Sequence, residues 1–118
     1  METTAPEAAA TMTSAATLAQ ALRVTAERFP DRPAFRTVDD ATCFTWSQTL
    51  ERSDAIAGGL AKLGLKRGDT LALMLSNRPE FALVDFAATT VGATPFSIYQ
   101  TLAPEQIAYV VADAGAKI

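Results

Sequence analysis

Few side chains in this sequence are equipped for chemistry. Its 118 residues include no histidine, which removes the commonest general base and a frequent metal ligand. Asp39-Asp40 is the one adjacent carboxylate pair placed between structured runs. A carboxylate pair is a candidate for acid–base work, yet this one falls in a predicted hairpin turn, where Asp serves the backbone. Ser76 and Ser97 lie near the ends of predicted strands, where α/β proteins place ligands, but no histidine is available to activate either hydroxyl. The single cysteine, Cys43, has no cationic neighbour in its vicinity to favour a thiolate. It reads as a small buried hydrophobe within a strand. Asp85 is the only charge on an otherwise apolar helix, and reads as half of a structural ion pair. Gly58-Gly59 sits inside a predicted helix. A dinucleotide turn needs G-x-G-x-x-G between strand and helix, so these glycines predict close approach by a neighbouring element instead. No phosphate-binding G-x-x-x-x-G-K-[ST] loop, G-x-S-x-G elbow or Cys/His cluster occurs. No catalytic, cofactor-binding or metal-binding residue is assigned.

The elements around these residues centre on Gly68 to Tyr99. Thr70 to Ser76 (TLALMLS) is a short apolar run suited to a strand covered on both faces. Asn77 and Glu80 have the spacing of a capping box, and Pro79 falls in the first helical turn. From Phe81 to Val91 the helix is apolar on nearly all sides, which predicts cover all round. Gly92 supplies a left-handed stop, and Ala93 to Ile98 starts a second strand. Two strands joined through one helix form a parallel βαβ unit.

Ahead of it, a helix is predicted from about Thr17 to Phe29, capped by Ser14 or Thr17, with Leu18, Leu22, Thr25 and Phe29 on one face. Ala34 to Val38 and Thr42 to Thr45 form the hairpin around Asp39-Asp40-Ala41. Thr45 and Gln48 open a second helix, Trp46 to Leu63, as a capping box. Its apolar arc holds Trp46, Leu50, Ile56, Ala57, Leu60 and Leu63. Beyond Ile98, Pro104 opens the last helix, with Leu102 and Ile107 as a hydrophobic staple. Ala116-Lys117-Ile118 reads as the start of another strand. The fold class is therefore α/β: a partial layered domain with a βαβ core, an N-terminal helix and a β-hairpin. Residues 1–16 are predicted to be a disordered tail, Ala- and Thr-rich and without periodicity.

Composition narrows the partners. A formal net charge of −3 with scattered basic residues argues against nucleic acid, which requires clustered Lys and Arg. No apolar run approaches the ~20 residues of a membrane span, and the start lacks the basic and apolar regions of a signal peptide. One cysteine cannot form an internal disulfide, which fits a reducing cytoplasm.

Several segments in order resemble a known family. Phe44-Thr45-Trp46-Ser47-Gln48-Thr49-Leu50 is similar to the L-[TS]-Y-x-E-L motif of the AMP-forming adenylating enzymes, with Trp for Tyr and Gln-Thr for the acidic stretch. Leu63 to Asp69 (LGLKRGD) resembles the family's L-G-v-k-x-G-D turn. Ser76 to Phe81 (SNRPEF) resembles its s-N-r-p-E-[WF] helix start, and Val91 to Tyr99 its G-A-v-x-x-p-l-Y segment. The run Tyr99 to Leu102 followed by Pro104 to Val111 is most similar to the long-chain fatty acid–CoA ligase branch. The resemblance covers about Leu18 to Ile118, and implies that residues 17–118 are a truncated N-terminal portion of an AMP-dependent synthetase domain.

What the resemblance implies for the full-length family is a two-step reaction. Fatty acid and ATP give an acyl-adenylate and pyrophosphate, and CoA then takes the acyl group, with Mg²⁺ assisting at phosphate. The family's phosphate loop, adenine-contacting region and C-terminal lysine have no counterpart here. The chain alone is therefore expected to be inactive. The alternative expectation is a non-catalytic interaction module that complements a separately encoded remainder of the ligase.

Overall fold

The computed structural model describes residues 14–118, so the predicted tail lies outside the described residues as far as residue 13. The chain divides into two compact units after Arg52. Helix α1 (Leu18–Arg28) opens the first. Thr17 is its N-cap, and the Gln20 N–H donates to Thr17 Oγ1 at 3.0 Å, satisfying one of the donors a helix start leaves free. Ala21, Leu22 and Ala26 form the buried face. Leu18 shares their arc but stands on the first turn, and it is 72% exposed rather than buried.

The predicted hairpin is present: it begins one residue earlier, at Pro33, and both strands stop shorter on the side of the turn. Strand β1 (Pro33–Arg36) pairs antiparallel with β2 (Cys43–Thr45), Phe35 opposite Phe44 and Arg36 opposite Cys43. Helix α2 (Trp46–Lys62) follows directly, and the division between the units falls within it. Its capping box forms as predicted: the Gln48 N–H donates to Thr45 Oγ1 at 3.2 Å, and the Thr45 N–H to Gln48 Oε1 at 2.9 Å. The Phe35 and Trp46 rings pack at 6.2 Å between centroids, a tilted aromatic contact.

The second unit contains the βαβ core. Strand β3 (Thr70–Leu73) is followed by helix α3 (Pro79–Val91), strand β4 (Thr94–Ser97) and helix α4 (Pro104–Ala114). Strands β3 and β4 are parallel and in register from Thr70 opposite Thr94 to Leu73 opposite Ser97. The predicted start of a further strand pairs on the other side of β3. Thr70 bridges Ala116 in parallel, the Lys117 N–H donates to the Thr70 carbonyl, and the Ala72 N–H to the Ile118 carbonyl. β3 is thus the centre of the sheet. The core gathers Leu71 and Leu73 from β3, Ala87 and Ala88 from α3, and Ala57, Leu60, Leu65 and Ala93 around them.

Gly92 ends α3 with φ of 90°, a backbone region that costs an L side chain about 1–2 kcal/mol. Its amide donates to the Thr89 carbonyl, and its own carbonyl accepts from the Gly68 N–H at 3.0 Å.

Several predicted environments differ from those observed. β3 alternates, with Leu71 and Leu73 buried and Thr70 and Ala72 half-buried, and Met74 just beyond it is 49% exposed, so one face is covered more fully than the other. Helix α3 buries only Leu83, Ala87 and Ala88. Its other residues are half-buried and none is exposed, so the predicted cover extends around the helix, with these three residues the most enclosed. Leu63, assigned to the buried arc of α2, is 71% exposed, because the helix ends at Lys62 and the chain turns away. Gly58 and Gly59 are exposed, and a Cβ at either would meet nothing within 4 Å. Among the described residues no element approaches them.

Candidate functional site: a cleft at the strand ends

The parallel strands direct their carboxyl ends to one rim of the sheet, and a cleft of about 380 Å³ opens there. Two chain segments build it. Leu75, Ser76 and Asn77 leave β3 and lead into α3, while Ile98, Tyr99, Gln100 and Thr101 leave β4. Phe81 contributes from the first turns of α3, and Ser97 from the end of β4. The topology therefore brings together Ser76 and Ser97, the two hydroxyls the sequence placed near strand ends. Ligands in open α/β sheets bind at this end because loops diverge there on opposite faces.

The start of α3 borders the cleft and differs from expectation. The N-cap is Arg78, extended at ψ of 159°, and its side chain makes no cap bond. Proline disfavours helical conformation in the residue before it, so Pro79 at N1 sets the boundary at Arg78. With the cap there, the third helical residue is Phe81, and the Asn77–Glu80 capping box cannot form. Glu80 Oε2 instead accepts from Arg78 Nε at 2.8 Å.

The cleft can hold a ligand by hydrogen bonds and apolar contact. Ser76, Asn77, Ser97, Gln100 and Thr101 supply neutral donors and acceptors, and Leu75, Phe81, Ile98 and Tyr99 supply surface. It does not fit a nucleoside triphosphate or Mg²⁺. Among the described residues no lysine or arginine lines it to meet phosphate charge, and no carboxylate to ligate a hard cation. No group of three or more His, Cys, Asp or Glu that could hold a metal occurs among the described residues.

The remaining candidates lie elsewhere. Asp39 Oδ1 accepts from Thr37 Oγ1 at 2.6 Å and from the Ala41 N–H at 3.1 Å, and these bonds hold its carboxyl below the usual range. Asp40 takes a left-handed φ of 56°. This is turn geometry of the kind Asp favours. Cys43 is exposed, not buried. Side chains alternate along a strand, and with Phe44 directed inward, Cys43 stands outward beside Arg36. Asp85 is half-buried and has no ion-pair partner among the described residues; desolvation alone pushes its carboxyl up. The predicted pair is absent because no cationic side chain reaches that part of α3. Phe81, Tyr99, Gln100 and Thr101 were not singled out from sequence as site residues. The position of the predicted strands was the signal available for them.

With this geometry in hand, the chain can be set beside known proteins. Residues 22–118 match the AMP-binding enzyme family. The chain belongs to that family. It is 44% identical over 102 residues to uncharacterized protein Rv1549 of Mycobacterium tuberculosis, covering 86% of this chain and 58% of that protein. To the mitochondrial medium-chain acyl-CoA ligase ACSF2 of Mus musculus it is 30% identical over 101 residues, covering 86% of this chain and 16% of the ligase. Among solved structures it superposes on the inhibitor-bound N-terminal domain of FACL13 from Mycobacterium tuberculosis. The TM-score is 0.83 at 26% identity, over 86% of this chain and 26% of that one. The α/β architecture is thus that of the N-terminal subdomain of adenylate-forming enzymes, and the chain resembles the N-terminal region of acyl-CoA ligases. It spans a little over half the length of Rv1549 and about a sixth of the length of ACSF2.

Proposed function

We propose that residues 17–118 form the N-terminal portion of an AMP-forming fatty acid–CoA ligase, with residues 1–16 as its tail, and that this portion acts as scaffold. The parent reaction joins a fatty acid to CoA through an acyl-adenylate, consuming ATP with Mg²⁺ and releasing AMP and pyrophosphate. Taken alone, the chain does not catalyse it. The observation that carries this reading is the neutral character of the cleft, whose hydroxyl and amide groups can position a ligand but neither activate a nucleophile nor neutralise phosphate. A cytoplasmic location accords with the absence, among the described residues, of any helix long and apolar enough to cross a membrane. The test is fatty-acid-dependent ATP–pyrophosphate exchange by the purified chain across medium and long acyl lengths. No exchange is expected, and robust exchange with any acid overturns the scaffold reading.

A second reading is favoured by α4, which buries none of its residues and leaves Tyr109 70% exposed. Here the chain is a module that docks a separately supplied remainder of the ligase. Co-expression with such a remainder, followed by affinity capture, would recover both chains together. Capture of the tagged chain alone refutes it.

A further inference from the structure

The sheet has one edge whose chemistry is resolved residue by residue. β4 pairs only with β3 among the described residues. The Thr94 N–H donates to the Asp69 carbonyl and the Ile98 N–H to the Leu73 carbonyl, each at 2.8 Å. The amide and carbonyl of one strand residue point the same way, and successive residues alternate. Thr94, Phe96 and Ile98 therefore face β3, while Pro95 and Ser97 face outward. A four-residue strand thus has two outward positions, and one of them holds the residue type that cannot donate. The outer edge retains the carbonyls of Pro95 and Ser97 and a single donor, the Ser97 N–H.

We propose that Pro95 keeps the outer edge of β4 from pairing with β4 of a second copy of this chain. An uncovered strand edge is a template for another strand, and identical chains are always present at equal concentration to supply one. Antiparallel pairing of two β4 edges would use the outward donors of residues 95 and 97 on both chains. Proline deletes half of them and sets its ring against the incoming backbone. It costs the sheet nothing, since the N–H it removes would point away from β3. This inference is independent of the ligase reading, and rests on the register of β4 alone.

The test is sedimentation equilibrium of the full chain and four variants. The parent is expected at its monomer mass of 12.5 kDa, with rapid hydrogen exchange at the Ser97 amide. Pro95→Val and Pro95→Thr restore the missing donor in β-compatible form, and should shift the mass toward a dimer or larger species at matched concentration. Adding Ser97→Pro to Pro95→Val removes the other outward donor and should return the mass to monomer. Ser97→Pro alone should remain folded and monomeric, because that amide makes no bond to β3. The proposal is overturned if both Pro95 variants keep the parent's circular dichroism and stay monomeric. It is equally overturned by unfolding of Ser97→Pro, or by a slowly exchanging Ser97 amide in the parent.

Discussion

Gly58 and Gly59 offer a test in which two readings predict opposite signs. Both lie inside α2, three and four residues before its end at Lys62. If a neighbour approached them closely, an alanine methyl would clash there and stability would fall. In the structure both are exposed, and an added Cβ meets no atom within 4 Å. The backbone term is then unopposed: an interior glycine is about 0.8–1.0 kcal/mol worse than alanine. The pair should yield ~1–2 kcal/mol, slightly discounted because the last turn frays. For a domain of this size, 1 kcal/mol moves Tm by about 4 °C, so Gly58→Ala/Gly59→Ala should melt roughly 4–8 °C above the parent. Thermal melts followed at 222 nm, with each single variant alongside, would measure it. A fall in Tm for either single variant would refute the reasoning and reveal an element packed on this face. Gly92→Ala is the control of opposite sign. Its φ of 90° carries the left-handed cost, and its Cβ would stand 3.0 Å from Arg67 Cγ, so it should lower stability by ~1–3 kcal/mol.

Other consequences can be checked on the same material. Thr45→Ala removes the hydroxyl that accepts the Gln48 N–H, and urea titration should show a loss of ~0.5–2 kcal/mol. Thr49 Oγ1 and Ser53 Oγ are buried without hydrogen-bond partners among the described residues. Thr49→Val and Ser53→Ala should therefore be neutral or stabilising in the same titration, since an unmade bond is relieved rather than a made one lost. Asp85 has its folded-state pKa raised from 3.8 by desolvation. The folded chain thus holds this proton more tightly than the unfolded one, so its contribution is favourable below pH 3.8 and is lost as pH rises through the folded value. Asp85→Asn should stabilise the protein at neutral pH, and its advantage should shrink as pH falls toward 4.

How far the sequence reveals the structure depends on the range of the interaction that decides each feature. Thr17, the Thr45–Gln48 box, Pro79, Gly92 and Pro104 act within a few residues, and all mark helix ends where the sequence places them. The order β3–α3–β4 follows from apolar runs of characteristic length, whereas the side of β3 on which Ala116 to Ile118 pair does not show in three residues. Burial is different, because it depends on which elements reach a given surface. Leu18, Leu63 and Cys43 carry apolar or small side chains yet are exposed, because nothing among the described residues covers them. The cleft lies between. Ser76 and Ser97 were visible as strand-end hydroxyls, whereas Gln100 and Thr101 join them only through the loop that follows β4. The Asn77–Glu80 pattern misleads for a local reason, since Pro79 shifts the cap to Arg78.

On the scaffold reading, this part of the fold positions a ligase site without performing the chemistry. The most direct measurement of this is ATP–pyrophosphate exchange by the isolated chain with Mg²⁺ and a panel of fatty acids, beside an intact acyl-CoA ligase as positive control. Exchange is expected from the intact ligase, and none above background from this chain at any acyl length. Exchange by the chain that rises with fatty acid concentration would contradict that reading.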